Sequence, residues 1–262
     1  MSDSALNLTI ENGLAHLVFI QGKRGNPIDG ALCSELNEAS IVLSERKDVR
    51  AVLITAEGGA FSYGGDIASF ISKLDDLPSM IKRWTSDLHM AIARLQRMDA
   101  PLVAAVHGIC AGGMAGFIAG CDIVVAADNT KFVAAYAGIG YCCDAGSSIT
   151  LSRRMGLGRA RKFLLLNESL SAQACLSAGL VDEVCTLDDY GNRAKTIADQ
   201  LAAGPTKAYG EIRRLMLSAS SLPLESQLEN EAQGLARCAA SADAREGLTA
   251  FSEKRKPTYR GQ

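Results

Sequence analysis

Two glycine-rich turns are the parts of the sequence best suited to chemistry. They cover residues 58–67 (GGAFSYGGDI) and 107–116 (HGICAGGMAG), and each follows a short apolar run typical of a buried strand. A strand that passes through glycines into a helix leaves unpaired N–H groups and the positive helix end facing outward. Because two such turns can each direct one N–H at a single oxygen, the pattern indicates an oxyanion hole, which stabilises negative charge developing on a carbonyl.

Other uses of these turns fit the sequence less well. No Gly-Lys-Ser/Thr follows either turn, and neither has the spacing of a dinucleotide-binding fingerprint, so a nucleotide cradle is disfavoured. The three histidines and eight cysteines lack metal-ligand spacing, and we predict no metal. The adjacent Cys142 and Cys143 are interpreted as ordinary thiols in a reducing compartment.

Composition limits the class of protein. The 262 residues include 27 Lys plus Arg and 29 Asp plus Glu, a formal net charge of −2, which excludes the strongly basic footprint of a nucleic-acid protein. No run approaches the ~18 apolar residues of a membrane span, and residues 1–13 show no signal-peptide pattern. We therefore expect a cytoplasmic α/β enzyme that binds neither nucleic acid nor membrane.

The elements that must position the turns follow from periodicity. Apolar runs predict strands at residues 6–10, 14–20, 49–55, 102–106, 123–126 and 181–185. Helical spacing predicts helices at 32–43, 67–74, 79–97, 145–154, 187–203, 206–218, 222–239 and 242–254. This order predicts a catalytic core at residues 1–195 and a helical region at residues 196–262 that packs on the core or on a neighbouring subunit.

Four segments in order along the chain are distinctive. They are FSYGGDI (61–67), HGICAGGMAGFIAGCDIVVAADNTKF (107–132), MGLGRARKFLLLNESLSAQACLSAGLVDEV (155–184) and DAREGLTAFSEKRKPTYRG (243–261). Together they resemble the crotonase superfamily, also called the enoyl-CoA hydratase/isomerase family. The resemblance implies an α/β spiral of ββα units, with a C-terminal helical region that forms homotrimers, often paired into hexamers.

The resemblance also implies the ligand and its site. The substrate would be an acyl-CoA thioester, with coenzyme A as part of the substrate and no covalently bound cofactor. The two oxyanion N–H groups would belong to Gly65 and Gly113, where glycine lets the acyl group approach without a side-chain clash.

The coenzyme A contacts follow from the same resemblance. Tyr63 would offer its backbone carbonyl to the adenine, and Lys23, Arg24 and Lys254 are candidates for the phosphates, with a solvated surface charge as the equal alternative for each. The predicted substrate-binding set is completed by Gly64, Asp66, Ile67, Gly112 and Tyr136.

The sequence departs from the hydratase pattern at both catalytic glutamates. Those positions fall on Gly116 and Tyr136, neither of which can act as a carboxylate base. One carboxylate remains, Asp144 in IGYCCDAGSS, where members resembling Δ3,Δ2-enoyl-CoA isomerases carry a proton-transferring Asp. A single carboxylate suffices for such a 1,3-proton shift, so we predict isomerisation. The alternative role for Asp144 is to cap the following helix.

Further functions stay open, and enoyl-CoA hydration, although disfavoured by the missing glutamates, is one of them. In members resembling 4-chlorobenzoyl-CoA dehalogenase, an Asp attacks an aromatic ring beside an aromatic residue, and Asp144 with Tyr136 reproduces that pair. That chemistry also needs a histidine, and His89 lies about one turn too early on its predicted helix. A noncatalytic CoA-binding protein is the third possibility. His107 is expected to hold the second turn, and Trp84 to line either the acyl pocket or the core.

Overall fold

A six-stranded sheet carries both glycine turns at the ends of its strands. The computed structural model describes residues 4–262, and its strands are β1 (Leu6–Glu11), β2 (Leu14–Phe19), β3 (Ala51–Ala56), β4 (Leu102–Val106), β5 (Ile109–Ala111), β6 (Ile123–Ala127), β7 (Lys131–Val133), β8 (Ser169–Ser171) and β9 (Glu183–Cys185). The order in the large sheet is β1-β2-β3-β4-β6-β9. The β1–β2 pair is antiparallel, whereas β2, β3, β4, β6 and β9 run parallel. Parallel pairing brings the ends of β3 and β4, and hence the two turns, to one edge.

Three short strands form a second sheet in the order β5-β7-β8. Periodicity did not predict them, because three residues are too few to establish an alternation. β5 is part of the second glycine turn, and Cys110 within it forms a bridge with Ser62 of the first turn. The small sheet therefore joins the two turns directly.

Helices cover the sheet and extend beyond it. They are α1 (Gly30–Glu45), α2 (Ile67–Ser72), α3 (Leu77–Arg97), α4 (Gly113–Ala119), α5 (Ser147–Met155), α6 (Leu157–Leu165), α7 (Ala172–Ser177), α8 (Tyr190–Ala202), α9 (Thr206–Ser218), α10 (Leu224–Ala239) and α11 (Ala242–Ser252). The result is the mixed α/β architecture expected from the sequence. α8 packs on the sheet through Ala194, Ile197 and Ala198. The predicted division at residue 195 falls inside this helix, and it remains a prediction.

Aromatic packing fixes the turns to the core. Phe19 of β2 makes edge-to-face contacts with Phe61 of the first turn and with Phe117 of α4, at centroid separations of 5.6 Å and 6.4 Å. Such pairs contribute about 0.5–1.5 kcal/mol each beyond the area they bury. Phe19 therefore stabilises both turns at once.

Two further observations concern the environment of the chain. Within residues 4–262, no helix is both long enough and apolar enough to span a bilayer. All eight cysteines are free thiols.

Candidate functional site

The two glycine turns approach each other at Gly64 and Gly112. Both residues have positive φ angles, +86° and +56°, which L side chains rarely adopt. A Cβ on Gly64 would also lie 3.0 Å from the carbonyl oxygen of Ala111. Glycine is therefore required here for conformation and for space.

Backbone hydrogen bonds hold the turns in register. The N–H of Phe61 donates to the His107 carbonyl at 3.0 Å, and that of Ser62 donates to the Ile109 carbonyl at 2.9 Å. In return, the N–H of Ala111 donates to the Ser62 carbonyl at 3.0 Å. The two turns consequently behave as one short parallel ladder.

The N–H groups of Gly65 and Gly113 take no part in this ladder. Around Gly65, the N–H of Ile28 donates to the Gly64 carbonyl and the N–H of Asp66 donates to the Ile28 carbonyl. Gly113 is the first residue of α4, where an N–H has no partner inside the helix. Among residues 4–262, neither N–H donates to a protein acceptor. Both are available to a ligand oxygen.

Two buried side chains secure the first turn. The amide nitrogen of Asn26 donates to two carbonyls of this turn, those of Ala60 and Phe61, and to that of Glu57 just before it. His107 Nε2 lies 2.8 Å from the Gly58 carbonyl, and its Nδ1 lies 3.0 Å from the Tyr190 hydroxyl. Because a carbonyl only accepts, Nε2 carries the proton and Tyr190 donates to Nδ1. His107, which the sequence predicts to hold the second turn, therefore ties the first turn to the second.

The Asp144 carboxylate lies beside Gly113. Its Oδ1 is 3.1 Å from the position that a Cβ on Gly113 would occupy, and it accepts a hydrogen bond of 2.7 Å from the Tyr136 hydroxyl. Burial and the nearby negative charge of Asp144 raise the pKa of Tyr136 well above its ordinary value. Tyr136 therefore stays protonated and donates. In the described part of the chain, Oδ2 of Asp144 accepts no hydrogen bond.

Asp144 does not cap the helix that follows it. α5 begins at Ser147 rather than at residue 145, and Gly146 occupies the cap position without a side-chain bond. Ala145 and Gly146 both have positive φ, +50° and +78°. This turn separates Asp144 from the helix and directs its side chain toward Gly113.

The position of the first hydratase glutamate has no room for a side chain. A Cβ on Gly116 would overlap the hydroxyl of Ser147 and lie 2.9 Å from the Ser147 Cα. The same hydroxyl lies 3.1 Å from that of Tyr136. Ser147 thus fills the space that a glutamate would need and supports the Tyr136–Asp144 pair.

His89 lies closer to Asp144 than the sequence spacing suggests. It is exposed on α3, and its Nε2 accepts a hydrogen bond of 3.2 Å from the N–H of Ala145. The sequence places His89 about one turn too early on its helix, yet this bond brings it next to the residue that follows Asp144. The loop that precedes α5 reaches back to α3, and sequence spacing cannot show this.

Three aromatic rings stand next to the candidate amides. Phe70 packs against Trp84 and against Tyr141, with centroid separations of 5.9 Å and 6.1 Å. The tip of the Phe70 ring is 3.2 Å from the position of a Cβ on Gly65. Trp84 is half-buried, and its Nε1 lies 2.7 Å from the position of a Cβ on Gly30.

The predicted coenzyme A contacts fall on the outer side of the first turn. Tyr63 is 60% exposed, its ring packs on Gly25, and its N–H donates to the Gly25 carbonyl at 3.0 Å. Lys23 and Arg24 occupy the 3-10 turn Gly22–Arg24 and are exposed. This arrangement brings Tyr63 next to both bases.

Arg24 is already engaged by two carboxylates. It forms ion pairs of 3.0 Å with Asp29 and Asp66, and Asp66 also caps α2, which begins at Ile67. Lys254 lies beyond α11 and is exposed. Among the described residues, the Lys254 side chain forms neither a hydrogen bond nor an ion pair.

Metal and thiol chemistry receive no support from the described residues. Among them, no group of three or more His, Cys, Asp or Glu side chains could hold a metal ion. Burial raises the pKa of the Cys143 thiol, which disfavours the nucleophilic thiolate.

Sequence reasoning missed three residues of this neighbourhood. Asn26 has a φ of +48°, and its side chain bonds to three carbonyls that lie more than 30 residues further along the chain. Phe70 belongs to a short helix whose orientation cannot be predicted from the sequence. Ser147 at the start of α5 could have been suspected from the serine pair after Gly146, but its overlap with Gly116 is purely tertiary.

This geometry defines an α/β protein with two unpaired backbone N–H groups and one neighbouring carboxylate, a set of groups suited to an acyl oxygen and its neighbouring carbons. Comparison with known proteins agrees. The family model for enoyl-CoA hydratase/isomerase matches residues 9–262. The chain is 32% identical to a 4-chlorobenzoyl coenzyme A dehalogenase from Arthrobacter sp, covering 97% of this chain and 92% of that protein.

Two further relatives cover nearly the whole chain. It is 30% identical to the 1,2-epoxyphenylacetyl-CoA isomerase of Escherichia coli, over 97% of both proteins. The crystal structure of an enoyl-CoA hydratase from Polaromonas sp. JS666 superposes with a TM-score of 0.92 at 31% identity, covering 98% of this chain and all of that one. The chain therefore belongs to the enoyl-CoA hydratase/isomerase family and is an acyl-CoA-processing enzyme with the crotonase fold.

Proposed function

We propose that this enzyme isomerises an enoyl-CoA by moving a proton between C2 and C4, with Asp144 as the shuttle. The observation that carries the proposal is the Asp144 carboxylate beside Gly113, hydrogen-bonded by Tyr136 at 2.7 Å, while Ser147 fills the space at Gly116. A hydratase needs carboxylates that position water, and this site offers one carboxylate. A proton shift needs no second one.

The proposed steps conserve all atoms of the substrate. Asp144 removes a proton from C2 or C4, and the electrons of that C–H bond move toward the thioester carbonyl and form a dienolate. The N–H groups of Gly65 and Gly113 stabilise the oxygen charge. The protonated carboxyl then returns its proton to the other carbon, and the double bond ends in its new place.

The rate enhancement that the proposal requires of each group lies within the usual range. A single preorganised oxyanion donor contributes about 2.7–4 kcal/mol to barrier lowering. A well-placed acid–base group contributes about 10²–10⁴ in rate. Tyr136 keeps one carboxylate oxygen occupied, so the other faces the substrate.

The test compares Asp144→Asn with Asp188→Asn, a matched change at an exposed position outside the site. Conversion of 3-enoyl-CoA to 2-enoyl-CoA is followed by mass spectrometry in D₂O. We expect Asp144→Asn to lose about 10²–10⁴ in kcat and Asp188→Asn to keep normal activity. Deuterium should enter C2 or C4. Full activity in Asp144→Asn, or Asp144-independent addition of water to crotonyl-CoA, would refute the proposal.

A second candidate is nucleophilic catalysis by Asp144, favoured by the position of His89 next to Ala145. The carboxylate would attack an electron-poor aryl carbon and form a C–O bond, and the leaving group would depart with its electron pair. His89 Nε2, released from the Ala145 N–H, would then take a proton from a water molecule. That water would attack the resulting ester at the carboxyl carbon and break the carboxyl C–O bond, so that the hydroxylated ring leaves and the Asp144 carboxyl group is regenerated. The dehalogenase relative gives this candidate further support.

A single-turnover experiment in H₂¹⁸O separates the two candidates. Nucleophilic catalysis leaves ¹⁸O in the Asp144 carboxyl group, whereas a proton shift leaves none. His89→Gln should trap a covalent intermediate only in the nucleophilic case. If no acyl-CoA is turned over and CoA still binds, the protein is a noncatalytic CoA-binding member.

Finer features of the protein are also proposals. We infer that Tyr63, Lys23, Arg24 and Lys254 contact coenzyme A. We infer that the C-terminal helices form a homotrimer or hexamer, because they expose large apolar side chains: Ile212, Met216, Leu224, Leu228, Leu235, Leu248 and Phe251. Free cysteines throughout the chain fit a cytoplasmic location. Light scattering checks the oligomer.

A further inference from the structure

We propose that the acyl group of the substrate carries an aromatic ring, which packs on a wall formed by Phe70, Trp84 and Tyr141. This inference rests on the proposed oxyanion site, because it requires the thioester carbonyl to be held at Gly65 and Gly113. It adds the substrate class, which the catalytic residues leave open.

The wall is continuous with the catalytic groups. The Phe70 ring tip lies 3.2 Å from the Cβ position of Gly65. Its ring pairs with Trp84 at 5.9 Å and with Tyr141 at 6.1 Å. Tyr141 precedes Asp144 by three residues. Phe70 therefore lies beside one oxyanion donor, and Tyr141 continues the wall from the loop that also carries Asp144.

The rings come from three separate segments and remain partly accessible. Phe70 belongs to α2, Trp84 to α3 and Tyr141 to the loop before Asp144. Phe70 and Trp84 are half-buried, and Tyr141 is 38% exposed. Trp84 packs partly against the core, and the exposed remainder of the three rings can contact an occupant.

Ring chemistry selects a planar occupant. Aromatic pairs prefer tilted or offset contacts with centroids 4.5–7 Å apart, and the two existing pairs are tilted by 37° and 40°. An aromatic acyl ring can continue this stack and gain a ring–ring contact that a saturated ring of equal carbon number cannot make. We expect an affinity difference of roughly two- to tenfold.

The test uses three probes with the full chain: benzoyl-CoA, cyclohexanecarbonyl-CoA and free CoA. Calorimetry gives their dissociation constants. Trp84 is the only tryptophan in the chain, so intrinsic emission reports on the wall alone. We expect benzoyl-CoA to bind about two- to tenfold more tightly than cyclohexanecarbonyl-CoA, and to change Trp84 emission where free CoA does not.

Variants test the wall directly by calorimetry. Trp84→Leu should remove most of the preference for benzoyl-CoA, and Trp84→Phe should restore part of it. Ser86→Ala, at an exposed position two residues along the same helix, is the matched control and should keep the preference. Should Trp84→Leu fail to fold, the wild-type affinities and emission still decide.

Each contrary result has one meaning. Equal affinities for the two acyl-CoAs, or equal emission changes with CoA and benzoyl-CoA, would overturn the aromatic wall and leave the proposed reaction intact. Absence of binding by every acyl-CoA would overturn both. Aromatic preference with full activity in Asp144→Asn would remove only the proposed mechanism.

Discussion

Tyr136→Phe is the sharpest perturbation of the site, because it removes one hydroxyl and keeps the ring. That hydroxyl donates to Asp144 at 2.7 Å, and Tyr136 is only 8% exposed. A hydrogen bond to a charged group contributes about 1.5–3 kcal/mol. At 1.36 kcal/mol per factor of ten, a loss confined to the transition state lowers kcat by roughly 10- to 150-fold.

The assay separates catalysis from binding and from folding. Steady-state kinetics on the best acyl-CoA should show the fall in kcat with KM nearly unchanged, because Tyr136 orients the carboxylate rather than the coenzyme. The matched control is Tyr209→Phe, a tyrosine near Gly204 and outside the site, which should behave as wild type. Unchanged kcat in Tyr136→Phe, or a loss seen only in KM, would refute the orienting role of this hydroxyl.

The remaining predictions concern packing, positioning and pH. Gly116→Ala should lower Tm by roughly 2–10 °C, because overpacking against Ser147 costs about 1–3 kcal/mol; a normal Tm would contradict the overlap. His107→Leu should lower kcat about tenfold with a small change in KM, and His107→Gln should recover part of it, whereas unchanged kcat would show that the turn holds without His107. Glu211 is paired with Arg237 and Arg214, which lowers its pKa to about 2, so its stabilising effect is present above pH 4.5 and is lost as the pH falls toward 2. Glu211→Gln should therefore lower Tm by about 2–4 °C at pH 7, for about 1 kcal/mol at a partly exposed pair, and the difference from wild type should vanish near pH 2; equal Tm at pH 7 would contradict it.

The sequence patterns predict the main strands and helices because short stretches of sequence determine them. The buried β-branched strands before residues 58 and 107 and the glycines after them are visible in short windows. The hairpin turn between β1 and β2 is likewise visible in the sequence, because an Asn-Gly pair favours the positive φ angles that Asn12 and Gly13 adopt. Where an element has only three residues, as in β5, the pattern is too short to register.

The site was predictable only where one residue type suffices. Motif position alone suggested Gly65, Gly113 and Asp144 as candidates. The contact of His89 with Ala145, by contrast, depends on how α3 packs against the loop that precedes α5. The overlap of Ser147 with Gly116 likewise joins positions 31 residues apart. Distances between segments that are remote in sequence cannot be read from spacing along either one.

The contact between Gly116 and Ser147 also makes the two positions interdependent in sequence change. A glutamate at position 116 alone overlaps Ser147, and removal of the Ser147 side chain alone leaves the Tyr136 hydroxyl without one partner. Either single substitution is expected to destabilise the site. A change toward hydration chemistry at position 116 would therefore require a paired substitution at position 147.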